Sequence, residues 1–187
     1  MKNNDLKIYF DSKLSNLYDV GYLTTDLHQV LSYSELLSEH ALNKADKYFG
    51  EKARPLNRYA KPLKSSRLSS EITEIEKGSL ALWISGTSLV TNIVMAVVSI
   101  KANNELKKKQ LSVKFEISPQ DKNIQKHLNS YQNGNYGYGE EGLKNLFETL
   151  SKINYSVSIT AEDIYSIEHV TNKYSQRMVK TIEKSLE

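Results

Sequence analysis

The sequence contains no cysteine, which excludes disulfide bonds, thiolate metal ligands and cysteine nucleophiles. Disulfides are rare in the reducing cytoplasm, so this composition fits an intracellular protein and we expect a cytoplasmic location. The first residues, Met-Lys-Asn-Asn-Asp-Leu-Lys, lack the apolar segment of a secretory signal, and we expect no such signal.

Recognisable catalytic and metal-binding motifs are also lacking. No serine stands in a Gly-x-Ser-x-Gly pattern. A zinc site needs two or three converging ligands, whereas the histidines lie far apart in the chain without partners at i, i+4 spacing. They are His28, His40, His127 and His169. We therefore predict no catalytic residue, no metal site and no cofactor, and we favour a binding protein over an enzyme.

One short run, Gly137-Tyr-Gly139-Glu-Glu-Gly142, matches the letters of the dinucleotide-binding fingerprint. That fingerprint needs a strand before it, whereas a predicted helix and loop precede this run. Glu140 and Glu141 would also repel a phosphate. We interpret the run as a mobile loop whose glutamates favour the N-terminus of the next helix.

The composition provides enough apolar residues for one folded domain. Of the 187 residues, 39% are hydrophobic and 25% are charged, which is typical of a globular protein. The net charge of +3 permits an acidic partner without requiring one. The twelve tyrosines are scattered along the chain and suit core, surface or interface roles.

The stretch 78–100 contains no charged residue and allows two interpretations. It is long enough to cross a bilayer as one helix, which would place the protein in the inner or plasma membrane with a cytosolic domain after Lys101. The turn-forming Ser85-Gly86-Thr87-Ser88 and the polar Asn92 favour a buried strand followed by a capped, buried helix. We favour the second interpretation and keep a membrane span near 80–100 as the alternative.

Hydrophobic periodicity predicts an α+β protein with a split β-α-β-β-α-β order over residues 1–118, the ferredoxin-like arrangement. The predicted elements are a strand from Leu6 to Asp11, a helix from about Thr25 to Gly50, a hairpin from Ser70 to Ile84 that turns at Lys77-Gly78, a helix after Ser88, and a strand from Leu111 to Ile117. In the first strand, Lys7 and Tyr9 occupy the face opposite Leu6, Ile8 and Phe10. The second hairpin strand is apolar on both faces, so we expect it to be central and Trp83 to lie in the core.

The remaining residues, 119–187, predict an α-α-β-α extension packed on the same core. The predicted elements are a helix that starts at Ser118-Pro119-Gln120-Asp121 and ends near Tyr131, a helix from Glu140 to Ile153, a strand from Tyr155 to Ile159, and a final helix capped by Thr160 and Asp163. The final helix carries an apolar stripe: Ile164, Ile167, Thr171, Tyr174, Met178 and Ile182. This stripe needs an apolar surface, either the sheet or a second copy, so a homodimer is one possible assembly.

A long basic loop is predicted at residues 50–68. It contains six basic residues against one acid, Glu51: Lys52, Arg54, Arg58, Lys61, Lys64 and Arg67. Such a loop attracts the phosphates of nucleic acid or acidic lipid, although a solvated connection explains the same charges.

The order of the elements invites comparison with RNA recognition motifs, which stack bases on aromatic residues of two adjacent strands. Ile8-Tyr9-Phe10 matches half of that signature. In residues 77–84 only Lys77 and Gly78 fit the other half, and the connection after the first strand is too long. The sequence therefore does not place the chain in that family.

The leading hypothesis is a non-enzymatic binding module: a regulator, adaptor or inhibitor that acts on a protein or a small anionic ligand. The Lys- and Asn-rich composition suggests a phage-borne or defence-system protein. The candidate contact residues lie in the glycine-rich loop: Tyr136, Gly137, Tyr138 and Gly139. The alternatives are a single-span membrane protein and a nucleic-acid-binding module that uses the basic loop.

Overall fold

The computed structural model describes residues 5–11, 17–39, 49, 69–76, 79–85, 87–153 and 159–186. In chain order these residues form strand β1 (Leu6–Asp11), helix α1 (Leu17–Ser38), strands β2 (Ser69–Glu76) and β3 (Ser79–Ser85), helix α2 (Leu89–Lys108), strand β4 (Lys114–Pro119), and helices α3 (Lys122–Gln132), α4 (Gly139–Lys152) and α5 (Ala161–Leu186). The protein is therefore α+β, as predicted, and helix predominates over strand in the described part of the chain.

Alternation along the strands gives the sheet one apolar face. The strands are antiparallel and lie in the order β2-β3-β1-β4. Leu6, Ile8 and Phe10 of β1 are each at most 1% exposed. The register places Phe10 opposite Phe115 of β4, and their ring centroids lie 5.6 Å apart in an edge-to-face contact. These residues join the helices in one hydrophobic core.

Helix α2 explains the uncharged stretch of the sequence. Every residue from Val90 to Ile100 is buried, because α2 packs against α1, α3, α5 and strand β4. Its polar side chains find partners: Thr87 donates to Asn92 Oδ1 at 3.3 Å, and Ser88 caps the helix by accepting from the Thr91 N–H at 3.1 Å. The predicted cap is thus present, and Ser88 is the N-cap of α2.

The alternative of one helix across residues 80–100 is wrong. Residues Ser79–Ser85 form a strand that pairs with β1 on one side and β2 on the other, and the helix begins only at Leu89. In the described part of the chain, no helix combines the length and the apolar composition that a membrane span requires.

Helix α1 begins earlier than predicted, at Leu17. At the predicted start, the hydroxyls of Thr24 and Thr25 donate to the carbonyls of Val20 and Gly21, at 2.8 and 2.7 Å, so the helix accommodates both residues. The helix ends at Ser38, and the predicted stop at Gly50 lies outside the described residues.

Strand β4 and helix α3 meet at a different residue from the predicted one. Ser118 was expected to cap the helix, but it pairs with Lys7 in the sheet, and β4 continues through Pro119. A proline is tolerated there because β4 is an edge strand. Asp121 is the N-cap instead, and its carboxylate accepts from the Asn123 N–H at 2.8 Å.

Helix α5 packs against the core through its apolar stripe, as predicted. All six residues of the stripe are buried. The surface that covers the stripe is formed by α1, α2 and α4, whereas the sequence suggested the sheet as one candidate. The homodimer stays a prediction. The predicted turn at Lys77-Gly78 and, apart from Ile159, the predicted strand from Tyr155 to Ile159 lie outside the described residues.

Candidate binding surface on the outer face of the sheet

The face of the sheet opposite the core carries a set of polar and aromatic side chains. Because side chains alternate along a strand, the residues between the core positions of β1, β3 and β4 project to this side. They are Lys7, Tyr9, Ala81, Trp83, Lys114, Glu116 and Ser118. None of them belongs to the hydrophobic cluster that joins the sheet to the helices. We call this set the outer face.

Each of two aromatic rings on the outer face has a lysine ammonium beside it. Lys7 Nζ lies 5.7 Å from the centroid of the Trp83 ring, and Lys114 Nζ lies 5.7 Å from the centroid of the Tyr9 ring. Both distances are within the range of a cation–π contact. The register pairs Lys7 with Trp83 and Tyr9 with Ala81, so the two rings occupy diagonal positions on neighbouring strands.

Trp83 does not lie in the core, contrary to the prediction. It is partly exposed, whereas its neighbours Leu82 and Ile84 are 9% and 2% exposed. The apolar pattern on both faces of β3 correctly placed the strand inside the sheet. It could not show which face meets the helices.

Glu116 lies between the two lysines. The Ser118 hydroxyl donates to Glu116 Oε1 at 2.6 Å, and Lys114 Nζ lies 3.0 Å from Oε2. These contacts, with a smaller contribution from Lys7, lower the pKa of Glu116. The carboxylate is therefore ionised at neutral pH and offsets one of the two lysines. The register brings further carboxyl residues beside this set: Asp11 opposite Lys114, Glu71 opposite Trp83 and Glu74 opposite Ala81.

The outer edge of strand β4 borders the outer face, and one side chain forms hydrogen bonds with the backbone of this edge. The Asn103 amide of α2 donates to the Phe115 carbonyl and accepts from the Phe115 N–H at 3.3 Å, as a neighbouring strand would. A cavity of about 230 Å³ lies beside this edge, between α2 and α3. Its lining includes Lys114, Glu116 and Ser118, so it continues from the outer face.

The predicted contact residues in the glycine-rich loop lie in a hydrogen-bonded turn. The Tyr136 hydroxyl lies 2.6 Å from His127 Nδ1, and the Asn145 amide donates to the Tyr136 carbonyl at 2.9 Å. Gly137 and Gly139 have φ angles of +89° and +60°, which only glycine adopts readily. Tyr136 is partly buried, whereas Tyr138 is 81% exposed. Their role as contact residues stays a prediction.

The six basic residues of the loop at 50–68 lie outside the described residues. They are Lys52, Arg54, Arg58, Lys61, Lys64 and Arg67. Their proposed binding of polyanions also stays a prediction.

A partly buried lysine outside the sheet, Lys101, has a structural explanation. Lys101 Nζ of α2 donates to Glu168 Oε2 at 2.7 Å, Thr171 Oγ1 at 2.9 Å and Asn172 Oδ1 at 2.8 Å, all on α5. Burial lowers the pKa of Lys101, although its contacts with Glu168 oppose this. The three acceptors use all three N–H bonds of the ammonium group, so Lys101 links two helices rather than serving as a nucleophile.

The alternation of side chains along β1 identified Lys7 and Tyr9 from the sequence as residues of the face opposite the core. The approach of Trp83 to Lys7 depends on the register between β1 and β3, for which the sequence holds no local signal.

No protein-family model, no curated protein and no solved structure matches this chain.

Proposed function

We propose that this protein is a non-enzymatic binding module that holds single-stranded nucleic acid on the outer face of its sheet. One observation carries the proposal: an aromatic ring and a lysine ammonium group lie together across strands β1 and β3, and again across strands β1 and β4. Unpaired bases stack on exposed aromatic rings, and lysines neutralise the phosphates that link them.

The spacing of these groups suits successive nucleotides. Tyr9 and Trp83 stand on neighbouring strands, which lie about 4.8 Å apart in a sheet. Ala81, opposite Tyr9, is too small to cover the ring. A base stacked on Trp83 would bring its phosphate near Lys7, and a base on Tyr9 would bring its phosphate near Lys114. Duplex nucleic acid does not offer its base planes in this way, so the ligand is a single strand.

Glu116 limits the affinity that this surface can reach. Its carboxylate competes with phosphate for Lys114, from which it lies 3.0 Å away. The pair is exposed, with side chains 63% and 46% accessible, and exposed ion pairs contribute little energy. A phosphate can therefore replace Glu116 as the partner of Lys114, and we expect weak binding that depends on salt.

The element order supports a finer description of the fold. Within residues 1–118, α1 follows β1, α2 follows β3, and the two middle strands of the sheet are β1 and β3. We infer that this part is the ferredoxin-like β-α-β-β-α-β arrangement, whose open sheet face is available for ligands. The predicted basic loop at 50–68 would add further positive charge to the same protein.

Fluorescence anisotropy with labelled oligonucleotides of about 12 nucleotides tests the proposal. We expect single-stranded RNA or DNA to bind at low salt and a duplex of the same sequence to bind more weakly. Tyr9→Leu should weaken binding about 5- to 150-fold, which corresponds to about 1–3 kcal/mol for the loss of one stacked base. Tyr165→Leu is the matched control, because Tyr165 is 54% exposed on α5, away from the sheet.

Two results would overturn the proposal. One is an absence of single-strand binding at low salt, as expected if the outer face contacts a protein instead. The other is equal binding by wild type and Tyr9→Leu with displacement by heparin, which would leave attraction by charge alone.

A further inference from the structure

A second concave surface lies between helices α4 and α5 and shares no residue with the outer face. It is a groove of about 550 Å³, within the range of volumes that protein ligand sites occupy. The lining combines apolar residues with carboxylates: Glu140, Glu141, Lys144, Phe147, Glu148, Ser151, Ile159, Thr160, Ala161 and Ile164. We call it the α4–α5 groove.

The floor of the groove is part of the core. Phe147 and Ile164 are 3% and 6% exposed, and Ile159 is partly buried against them. Thr160 fixes the start of α5 at this position: its hydroxyl accepts from the Asp163 N–H at 3.1 Å, while Asp163 Oδ2 accepts from the Thr160 N–H at 2.7 Å. The apolar floor is therefore held in a defined shape.

The rim of the groove is acidic. Among the described residues of the lining, three glutamates, Glu140, Glu141 and Glu148, stand against one cation, Lys144. Glu140 and Glu141 occupy the first turn of α4, where carboxylates complement the helix dipole. Glu148 lies two turns further on, where the dipole of the helix N-terminus no longer favours a carboxylate. Lys144 Nζ is 3.9 Å from Glu148 Oε1, and their side chains are 65% and 50% exposed. Such a loose pair opens readily to an incoming cation.

We propose that the α4–α5 groove docks a cationic amphipathic peptide segment of a partner protein. Apolar side chains of the segment contact Phe147, Ile159 and Ile164, and its lysines or arginines pair with Glu141 and Glu148. This charge complementarity excludes an acidic peptide, whose carboxylates would meet those of the rim. Helix-in-groove recognition combines an apolar stripe and flanking charges in the same way.

A matched pair of labelled peptides tests this proposal: an amphipathic helix of leucine and lysine, and the same peptide with every lysine replaced by glutamate. Binding is measured by fluorescence anisotropy, and the site is mapped by NMR shifts of the protein's backbone amides. We expect the Leu/Lys peptide to bind and to shift the amides of 140–151 and 159–164. The Leu/Glu peptide should not bind.

Two variants and their controls distinguish binding in the groove from general electrostatic attraction of the peptide to the protein surface. Glu141→Gln with Glu148→Gln should weaken binding about tenfold or more, whereas Glu39→Gln, an exposed glutamate at the end of α1, should not. Ala161→Trp should fill the groove and prevent binding, whereas Gln176→Trp at an exposed position of α5 should not. Equal binding of both peptides, shifts confined to other regions, or full binding by Ala161→Trp would each overturn the proposal.

Discussion

At the scale of single residues, Trp83 shows that the sequence pattern of one strand does not determine which of its two faces is buried. Leu82 and Trp83 are both large and apolar, and nothing in the sequence of β3 marks which one meets the helices. The distinction comes from β1, where Lys7 and Tyr9 alternate with Ile8 and Phe10. Once the two strands pair, Trp83 must share the side of Lys7.

This position changes the expected cost of removing the Trp83 ring. We expect Trp83→Ala to lower the free energy of unfolding by about 1–2 kcal/mol, because a partly exposed ring loses only part of its buried area. Phe115→Ala is the comparison, since Phe115 is 0% exposed and a fully buried aromatic residue costs about 3–5 kcal/mol. Urea denaturation measures both values. Equal losses would place Trp83 in the core after all.

Asp26 carries a prediction about pH. It is 2% exposed in α1, and Arg177 Nη2 of α5 lies 2.8 Å from its Oδ1. Burial raises the pKa of Asp26 above its ordinary value of 3.8, although Arg177 opposes the shift. The folded protein therefore keeps this proton at pH values where the unfolded chain has lost it.

The stability that Asp26 contributes should thus fall as the pH rises from about 4 towards neutrality. Asp26→Asn removes this titration, so the free energy of unfolding of the wild type should decrease relative to that of the variant over this range. Denaturation at several pH values checks the expectation, with Glu148→Gln as an exposed control on α4. A difference between wild type and Asp26→Asn that stays constant, or that changes in the opposite direction, would contradict it.

At the scale of elements, the long amphipathic helices were predictable and the junctions were less so. The stripe of α5 follows the helical period from Ile164 to Ile182, and all six predicted stripe positions are buried. Residues 90–100 of helix α2 are buried on all sides and show no amphipathic period, so the sequence left a membrane span as an alternative. The junction at Ser118 was misplaced because serine followed by proline favours a helix start, while pairing with β1 decided otherwise.

The start of α5 provides a test of one correctly predicted junction. Thr160→Ala removes the hydroxyl that accepts from the Asp163 N–H, and loss of such a cap costs about 1 kcal/mol of stability. Thr181→Ala is the control within the same helix, where the hydroxyl only bonds back to the Arg177 carbonyl at 3.2 Å. Thermal and urea denaturation should separate the two variants. A cost for Thr181→Ala as large as that for Thr160→Ala would show that the capping contact contributes nothing particular.

At the scale of the whole molecule, the two proposed surfaces are built from different elements. The outer face combines aromatic rings with lysines on the sheet, and the described lining of the α4–α5 groove combines an apolar floor with three glutamates and one lysine. The net charge of +3 describes neither surface. Composition alone could therefore not reveal them, since both depend on the way in which distant segments fold together.

The most direct test of the central claim uses the intrinsic fluorescence of Trp83, which is the single tryptophan of the chain. Stacking of a base on its ring would quench its emission, so titration of the wild-type protein with single-stranded RNA or DNA at low salt reports contact at this residue. We expect saturable quenching by single strands, little quenching by a duplex, and a salt dependence that is weaker by about one phosphate contact in Lys7→Gln. Unchanged Trp83 emission would contradict it, even where anisotropy shows that the oligonucleotide binds.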